Sequence, residues 1–381
     1  MHDVAIIGGG PVGLSAALAA NAHGLGALVL EARSEARSDD PRVFALSYGA
    51  RLILERLGAW AHIAAAHPIR AVHVSQRGRF GHTALTAEEL GVEALGYVVP
   101  YADLVQALRR RMLEAGVQTV SEARVVSIES QPSFVAVHYE RCGAAHAVCA
   151  QVVAQADGGA NLFAATPSTE RDYGQCALIA DVRCQRAAPD WAYERFTGRG
   201  PIALLPLNAR HALIWTVPQA QAEGLLALDA GAFEQELMHA YGERIGAIRL
   251  IGGRASFNLV LRYAHRVTSD RHVLIGNAAQ TLHPVAGQGF NIGLRDAFEL
   301  AQALAECSRQ GQDGLAGLHR YRSSRRLDRV GGTLFTDFLV RAFSNDDPLL
   351  AFGRSLGLFF LDTSGATKRF LMRRMIFGNP A

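Results

Sequence analysis

Residues 273–296 read VLIGNAAQTLHPVAGQGFNIGLRD. A short apolar strand pattern, Val273 to Ile275, runs into a turn-rich segment with glycines at Gly276, Gly287 and Gly289. Leu294, Ala297, Phe298, Ala301, Leu304 and Ala305 then recur at three- and four-residue steps, the apolar face of a helix that starts near Gly289. A helix start presents unpaired N–H groups and the positive end of the helix dipole, and glycine lets a planar or anionic group come close to both. A plain strand-to-helix corner would also take glycines for its dihedrals, so this stretch alone leaves two readings open.

The other end of the chain decides between them. Val4-Ala5-Ile6-Ile7 is a buried-strand pattern, followed at once by Gly8, Gly10 and Gly13, an alanine-rich helix, and a second strand, Ala27 to Leu30, that ends at Glu31. In a G-x-G-x-x-G unit the first glycine makes the tight turn and the second lets backbone approach a pyrophosphate. The third lets the helix pack closely, and the acid accepts from ribose hydroxyls. Strand, triplet, helix, strand and acid occur in that order within the first 31 residues. That order predicts an α/β chain with a Rossmann-like dinucleotide site.

Read together, this fingerprint and the run His283-Pro284-Val285-Ala286-Gly287-Gln288-Gly289-Phe290-Asn291-Ile292-Gly293-Leu294-Arg295-Asp296 resemble the FAD-dependent aromatic hydroxylases of the para-hydroxybenzoate hydroxylase type. More narrowly, they resemble the ubiquinone-biosynthesis hydroxylases, which act on polyprenylated phenols. Asp40-Pro41-Arg42 with Ala45-Leu46-Ser47 is similar to the family's arginine-bearing loop near the flavin, Ala156-Asp157-Gly158 to its middle Asp-Gly motif, and Gly200 to Leu207 to a strand of its substrate domain. The chain departs from the wider family at Asn277, where most relatives have aspartate, and at Gln280, where many have histidine. The serine and arginine usual after the middle motif are also missing.

The resemblance implies an FAD-binding domain over residues 1–70, 97–170 and 258–330. It also implies an antiparallel-sheet substrate domain inserted as 71–96 and 171–257, and a helical C-terminal segment, 331–381. It implies that FAD is held by Gly8, Gly10, Gly13, Glu31, Arg42, backbone near Val125, Asp157, Asn277, Gly287, Gln288, Gly289 and Asn291. His283 and Pro284 would lie beside the reactive edge of the flavin, with Arg42 at the flavin phosphate or NAD(P)H. These are positioning roles, since the flavin carries the chemistry. His283 is also readable as a structural histidine before proline, Arg42 as a surface ion pair, and Val125 as core. Trp215, Phe196 and Phe257 are candidates to line the substrate pocket or, equally, plain core. NAD(P)H and O2 would be co-substrates. Two rival functions remain at this level: the same chemistry on a soluble aromatic, or an FAD-binding scaffold subunit without turnover.

The rest of the sequence sets bounds. At 381 residues, 49% hydrophobic and 19% charged, the chain has apolar content for a large core. Its formal charge of +3 gives no case for nucleic-acid binding. Cys142, Cys149, Cys176, Cys184 and Cys307 are widely spaced, without a redox or metal pairing. No leader and no apolar run of ~20 residues is visible, so the chain reads as cytoplasmic, with a peripheral place at the inner face of the membrane as a further expectation. Helices are predicted over Leu46 to Leu57, Ala102 to Ala115 and Ala232 to Tyr241. Strands are predicted at Arg124 to Ile128, Val135 to Tyr139, Val148 to Val153, Ala177 to Val182, Ile202 to Leu205, Ala212 to Val217 and Arg249 to Phe257. Basic residues crowd two C-terminal stretches, Arg320 to Arg329 and Lys368 to Arg374. The second is interleaved with Phe370, Leu371, Met372, Met375, Ile376 and Phe377. Such a stretch suits an anionic membrane surface, a partner of a biosynthetic complex, or a helix packed on its own domain.

Overall fold

The computed structural model describes residues 1–34, 40–158, 168–281, 288–325 and 348–377. Its first sheet is built from β1 (His2–Ile7), β2 (Ala27–Leu30), β8 (Gln118–Val120), β11 (Ala144–Gln155) and β18 (His272–Leu274), all parallel in the order β18-β11-β1-β2-β8. The last four residues of β1 and all of β2 are buried, because both faces of a parallel sheet are covered. One face carries α1 (Pro11–Ala22), α3 (Tyr101–Glu114) and α6 (Gln288–Arg309). The other is closed by the antiparallel meander of β9 (Arg124–Ser130) and β10 (Val135–Arg141) running into β11. A short β17 (Thr268–Ser269) pairs on the β18 edge.

The second sheet has the order β19 (Gln280–Thr281), β16 (Ile248–Ala264), β12 (Ser168–Cys184), β15 (Arg210–Pro218), β14 (Gly200–Leu207), β13 (Trp191–Thr197), β5 (Ala71–Gln76), β6 (His82–Thr86). All its pairings are antiparallel except β13 with β5. The early piece 71–76 therefore enters the same sheet as residues 168–264. β12 and β16 extend past residues 171 and 257, so both strands run through the limits drawn from sequence. The outer face is packed by α4 (Gln219–Ala227) and α5 (Ala230–Tyr241), with Phe233, Leu237 and Tyr241 against Leu178, Leu204, Leu213 and Trp215. A three-stranded sheet of β3 (Val43–Ser47), β7 (Gly96–Pro100) and β4 (His67–Ile69) packs on part of the inner face through Ile69 and Val98 against Ala192 and Leu207.

The helix predicted from Leu46 starts later. Val43–Ser47 is a strand paired with β7, and α2 spans Tyr48–Arg56, with the Ser47 hydroxyl accepting from Ala50 N as its N-cap. The C-terminal end is helical as expected: residues 314–325 (α7), then α8 (Pro348–Thr363) and α9 (Gly365–Phe377). α9 is one of the packed helices that the sequence allowed. Lys368, Met372 and Ile376 are buried, the last two among Leu85, Ala87 and Leu95, and Lys368 Nζ donates to Glu89 Oε1 at 2.6 Å. Among the described residues no helix is long and apolar enough to cross a membrane.

Candidate active site

The turn after β1 is shaped by contacts that no side chain could tolerate. Gly8 has φ +105°, and a Cβ there would lie 2.7 Å from Ala156 O; at Gly13 it would lie 1.9 Å from Gly8 O. These two glycines are packing requirements that bring β1, α1 and the end of β11 together. Gly10 differs: among the described residues a Cβ there meets nothing within 4 Å. It is the N-cap of α1, no side chain caps that helix, and Pro11 occupies its first turn. An uncapped helix start thus faces open space, which is what an anionic group needs.

Glu31 lies across this turn. Its Oε2 accepts from Gly9 N and its Oε1 from Arg33 N at 2.9 Å. Each carboxylate oxygen keeps a further lone pair for an external hydroxyl. Gly9, which the fingerprint does not single out, lies against this side chain: a Cβ there would come within 2.9 Å of Glu31 Oε2 and 3.1 Å of its Cβ. Asp157 follows β11, where Gln155 Nε2 donates to both of its oxygens at 3.2 and 3.1 Å. Val125 has its side chain in the core with Ala5, Ile7, Leu28 and Leu30, so only its backbone is left for a ligand.

α6 begins at Gln288, close to the sequence expectation, and its N-terminal part meets that of α1. A Cβ at Gly293 would lie 2.9 Å from Val12 Cγ2 and 3.1 Å from Gly276 Cα. The turn Gly276–Ala278 leads out of β18, with Asn277 exposed. This corner is tied down from below: Asp296, on α6, accepts from Gly276 N at 3.3 Å and from Arg325 of α7 through Nε and Nη2. Arg325 is therefore buried, not part of a solvated basic face. His283, Pro284 and Gly287 lie outside the described residues, as does the side chain of Gln288; a Cβ at Gly289 would meet none of the described residues within 4 Å.

Asn291 is 2% exposed and its amide is committed to the backbone of β3, accepting from Ser47 N at 2.9 Å and donating to Ala45 O at 2.9 Å. It locks α6 to the strand that carries Arg42. Arg42 pairs with Asp40, whose hydrogen bonds raise the guanidinium pKa, and its Cζ lies 4.9 Å over the Tyr101 ring and 5.6 Å over Phe257. The Arg42–Asp40 ion pair is thus present, and the same side chain bridges the two sheets' territories. Phe44, two residues on, packs against Tyr101 and Phe290, with ring centroids 5.6 and 4.6 Å apart.

The inner face of the second sheet holds a feature that the sequence reading missed. Register places Val74, Glu194, Ala203, Ile214, Ile179 and Ala255 in one row across six strands. Every member of that row is half-buried. On one side of it Ala192 is covered by the three-stranded sheet, and on the other Phe196, Thr216 and Ala177 are buried. The result is a half-open trough about 24 Å long at the usual strand spacing. The row itself is apolar apart from Glu194, whose carboxyl has no hydrogen-bond or ion-pair partner among the described residues, and burial raises its pKa to about 7. Trp215 points the other way, into the α5 core against Phe233, so it does not line this trough. Phe196 is buried beside it and Phe257 lies at its Arg42 end. The alternation in Trp191-Ala192-Tyr193-Glu194-Arg195-Phe196-Thr197, with a lone acid among apolar residues, was the available signal.

Comparison with known proteins agrees with this geometry. The family model described as "FAD binding domain" matches residues 1–330. The chain is 34% identical to a ubiquinone hydroxylase, UbiL, of Rhodospirillum rubrum, over 97% of this chain and 88% of that protein. It is 30% identical to the 3-demethoxyubiquinol 3-hydroxylase of Escherichia coli, over 96% of each. Among solved structures it superimposes on p-nitrophenol 4-monooxygenase from Pseudomonas putida with a TM-score of 0.80 at 16% identity, over 100% of this chain and 99% of that one. It also superimposes on an FAD complex of Klebsiella pneumoniae HpxO with a TM-score of 0.79 at 18% identity, over the whole of both chains. Glycines that admit no Cβ, an uncapped helix start open to an anion and a carboxylate at the second strand's end fit FAD. The chain belongs to the FAD-binding family and, within it, to the ubiquinone-biosynthesis hydroxylases: it is a flavin-dependent monooxygenase.

Proposed function

We propose that the chain hydroxylates the aromatic ring of a polyprenylated phenol in ubiquinone biosynthesis, with NAD(P)H and O2 as co-substrates. The observation that carries this reading is the apolar, half-open trough on the second sheet, which suits a ring with a long hydrocarbon tail, in a chain whose relatives are named for ubiquinone hydroxylation. FAD, when bound, would supply the redox chemistry that couples NAD(P)H oxidation to O2 activation, with one oxygen atom entering the ring and the other leaving as water.

The protein's part is binding, orientation and exclusion of water. In this reading Gly10 and the α1 start hold the pyrophosphate, Glu31 the ribose, and backbone near Val125 the adenine. Asp157 and Asn277 meet the ribityl side. Gly287 to Gly289, at the head of α6, would stabilise negative charge on the flavin ring, and His283-Pro284 would flank its reactive edge. Asn291 and Asp296 act from behind, fixing α6 to β3 and to the Gly276 turn. Arg42, stacked between Tyr101 and Phe257, is placed to meet the flavin phosphate or the nicotinamide nucleotide.

A lipid-soluble substrate must be collected from a membrane, and α8 and α9 offer a surface for it. Leu356, Phe359 and Phe360 share one exposed face of α8, and Phe370 is exposed on α9 beside the exposed Arg369, Arg373 and Arg374. We read this as a peripheral contact with an anionic membrane surface.

The test is conversion of a short-chain prenylphenol by the purified flavoprotein with NADH or NADPH in air. The expected product is heavier by one oxygen atom, with NAD(P)H oxidation stimulated by the phenol. Oxidation at the same rate without phenol, yielding only peroxide, would refute the reading. A normal quinone profile in a strain lacking the chain would point to a different aromatic.

A further inference from the structure

We propose, on the reading that the substrate is a phenol, that Glu194 is the catalytic base of the substrate site: its carboxylate accepts the phenolic O–H proton from the floor of the trough. The geometry selects it. In the row Val74, Glu194, Ala203, Ile214, Ile179, Ala255 it is the only group that can exchange a proton, and it lies near one end with apolar residues continuing across four strands beyond it. A carboxyl in such a place without a partner is costly to keep, since burial of an unpaired charge is strongly unfavourable. A structural role would show a bonded cation or donor, as at Glu234, which accepts from Arg249 and from Leu250 N. Glu194 has neither among the described residues, and it keeps part of its surface open to the trough.

The groups around it leave its proton affinity to burial. On the same face of β5, Gln76 presents its amide to Arg354 of α8, and Thr83 of β6 donates to Asp362 at 2.9 Å. Asp362 in turn faces Lys368, 3.9 Å away. Arg42 and Tyr101 lie at the Phe257 end of the sheet. None of these charged groups contributes to the shift of Glu194, which burial alone carries to about 7. That value lies between an ordinary carboxyl and a phenol, which makes the carboxylate a stronger base than a solvated one while leaving it ionised for a substantial fraction of the time near neutrality.

The step balances without a further reactant. The phenol O–H bond breaks, the proton goes to a Glu194 oxygen, and the electron pair stays on the phenol oxygen. There it is shared with the ring and makes the ortho and para carbons nucleophilic toward the incoming oxygen atom. The ring then regains aromaticity when the C–H proton of the carbon attacked moves to the ring oxygen. Glu194 releases its proton through the half-open trough, in net balance with the proton consumed in forming water.

The test compares wild type with Glu194→Gln and Glu194→Asp as FAD-loaded proteins, with 4-nitrophenol as a coloured probe. At saturating phenol, wild-type kcat should rise with pH through a limb near 7. In Glu194→Gln the limb should disappear and kcat fall by about 100-fold or more, with KM and flavin content nearly unchanged. Glu194→Asp should keep the limb at reduced kcat. The probe reads the same group without turnover. Because a carboxylate and a phenol of similar acidity share one proton, coloured phenolate should appear in wild type in two steps, the second about one pH unit or more above the single step of the variant. Equal kcat profiles and equal probe titrations in wild type and Glu194→Gln would overturn the proposal. A Glu194-dependent probe titration in a protein that oxidises no phenol would instead sink the hydroxylase reading and leave the base in place. If Glu194→Gln does not fold, the Glu194→Asp profile and the wild-type probe titration decide.

Discussion

The Arg325 guanidinium donates twice to one oxygen of the Asp296 carboxylate, from Nε and Nη2 to Oδ1 at 3.0 and 2.8 Å, in a site where the two side chains are 1% and 0% exposed. The other Asp296 oxygen holds Gly276 N, so one buried pair fixes α7, α6 and the turn after β18 relative to each other. Removing the Asp296 carboxylate strips two charge-assisted hydrogen bonds from a buried guanidinium. Asp296→Ala should therefore cost roughly 3–5 kcal/mol. Glu299, 3.2 Å from Arg325 Nη1, offers only partial replacement. Thermal denaturation of the apoprotein and flavin content of the purified variant check this together: both should drop. Loss of flavin at unchanged stability would mean that Asp296 acts on the ligand directly.

Two glycines of the same turn should fail in different ways. Gly13 has no room for a Cβ, because Gly8 O would be 1.9 Å away, so Gly13→Val should not yield folded protein. Gly10 has free space among the described residues. Gly10→Val should fold with a near-native circular dichroism spectrum and purify without bound FAD, since only the pyrophosphate meets the new side chain. Gly10→Val retaining full flavin occupancy would contradict the assignment of the α1 start to the pyrophosphate.

Glu194 should also be visible in stability against pH. Its folded pKa is about 7 against an ordinary 4.5, so the folded state binds a proton that the unfolded chain releases. Below 4.5 both states are protonated and nothing is lost. As pH rises toward 7 the folded protein is progressively penalised, and above 7 the full penalty applies. The ceiling is ~3 kcal/mol, and the open surface of the residue brings the expected value to ~1–2 kcal/mol. His272, lowered to about 4 by burial, has the opposite dependence, its stability being lost as pH falls from 6.5. His73, lowered to about 4 by burial and by Arg244, behaves likewise. The quantity to measure is thus the difference: Glu194→Gln should gain on wild type between pH 5 and pH 8 in urea titrations, by about 1–2 kcal/mol. A flat difference would show that Glu194 keeps an ordinary carboxyl pKa.

Local signals carried the turn around Gly8 and the α6 start into view, because both are defined by residues within a few positions of each other. What escaped depends on distant partners. Leu46 and Ser47 read as the start of a helix but end the strand Val43–Ser47, which pairs with Gly96–Pro100. Strand Trp191–Thr197 gained its identity from pairing with Ala71–Gln76, far earlier in the chain, and with it Glu194 gained its place in the floor of the trough. Asn291 was legible as a site residue, yet its amide serves Ala45 and Ser47, a contact between positions that no spacing rule connects. Arg325 read as one of a basic run until Asp296 supplied its partner.

The C-terminal helices separate two roles that their sequence mixes. Lys368, Met372 and Ile376 are buried against the β6–β7 region, so removing residues 366–381 takes away core and should lower stability and flavin content together. Truncation therefore cannot test membrane contact. Phe359, Phe360 and Phe370 can, being 54%, 61% and 67% exposed, with the exposed Arg369, Arg373 and Arg374 on α9 as the basic component. Replacing the three phenylalanines by serine should leave the melting temperature and activity on a short-chain soluble phenol nearly intact. Sedimentation with anionic vesicles should fall several-fold, along with activity on a long-chain substrate presented in those vesicles. Arg369→Gln with Arg373→Gln and Arg374→Gln should weaken binding by ~1 kcal/mol per charge at low salt and progressively less as salt is raised. Unchanged vesicle binding in the triple phenylalanine variant would reject this face as the membrane contact.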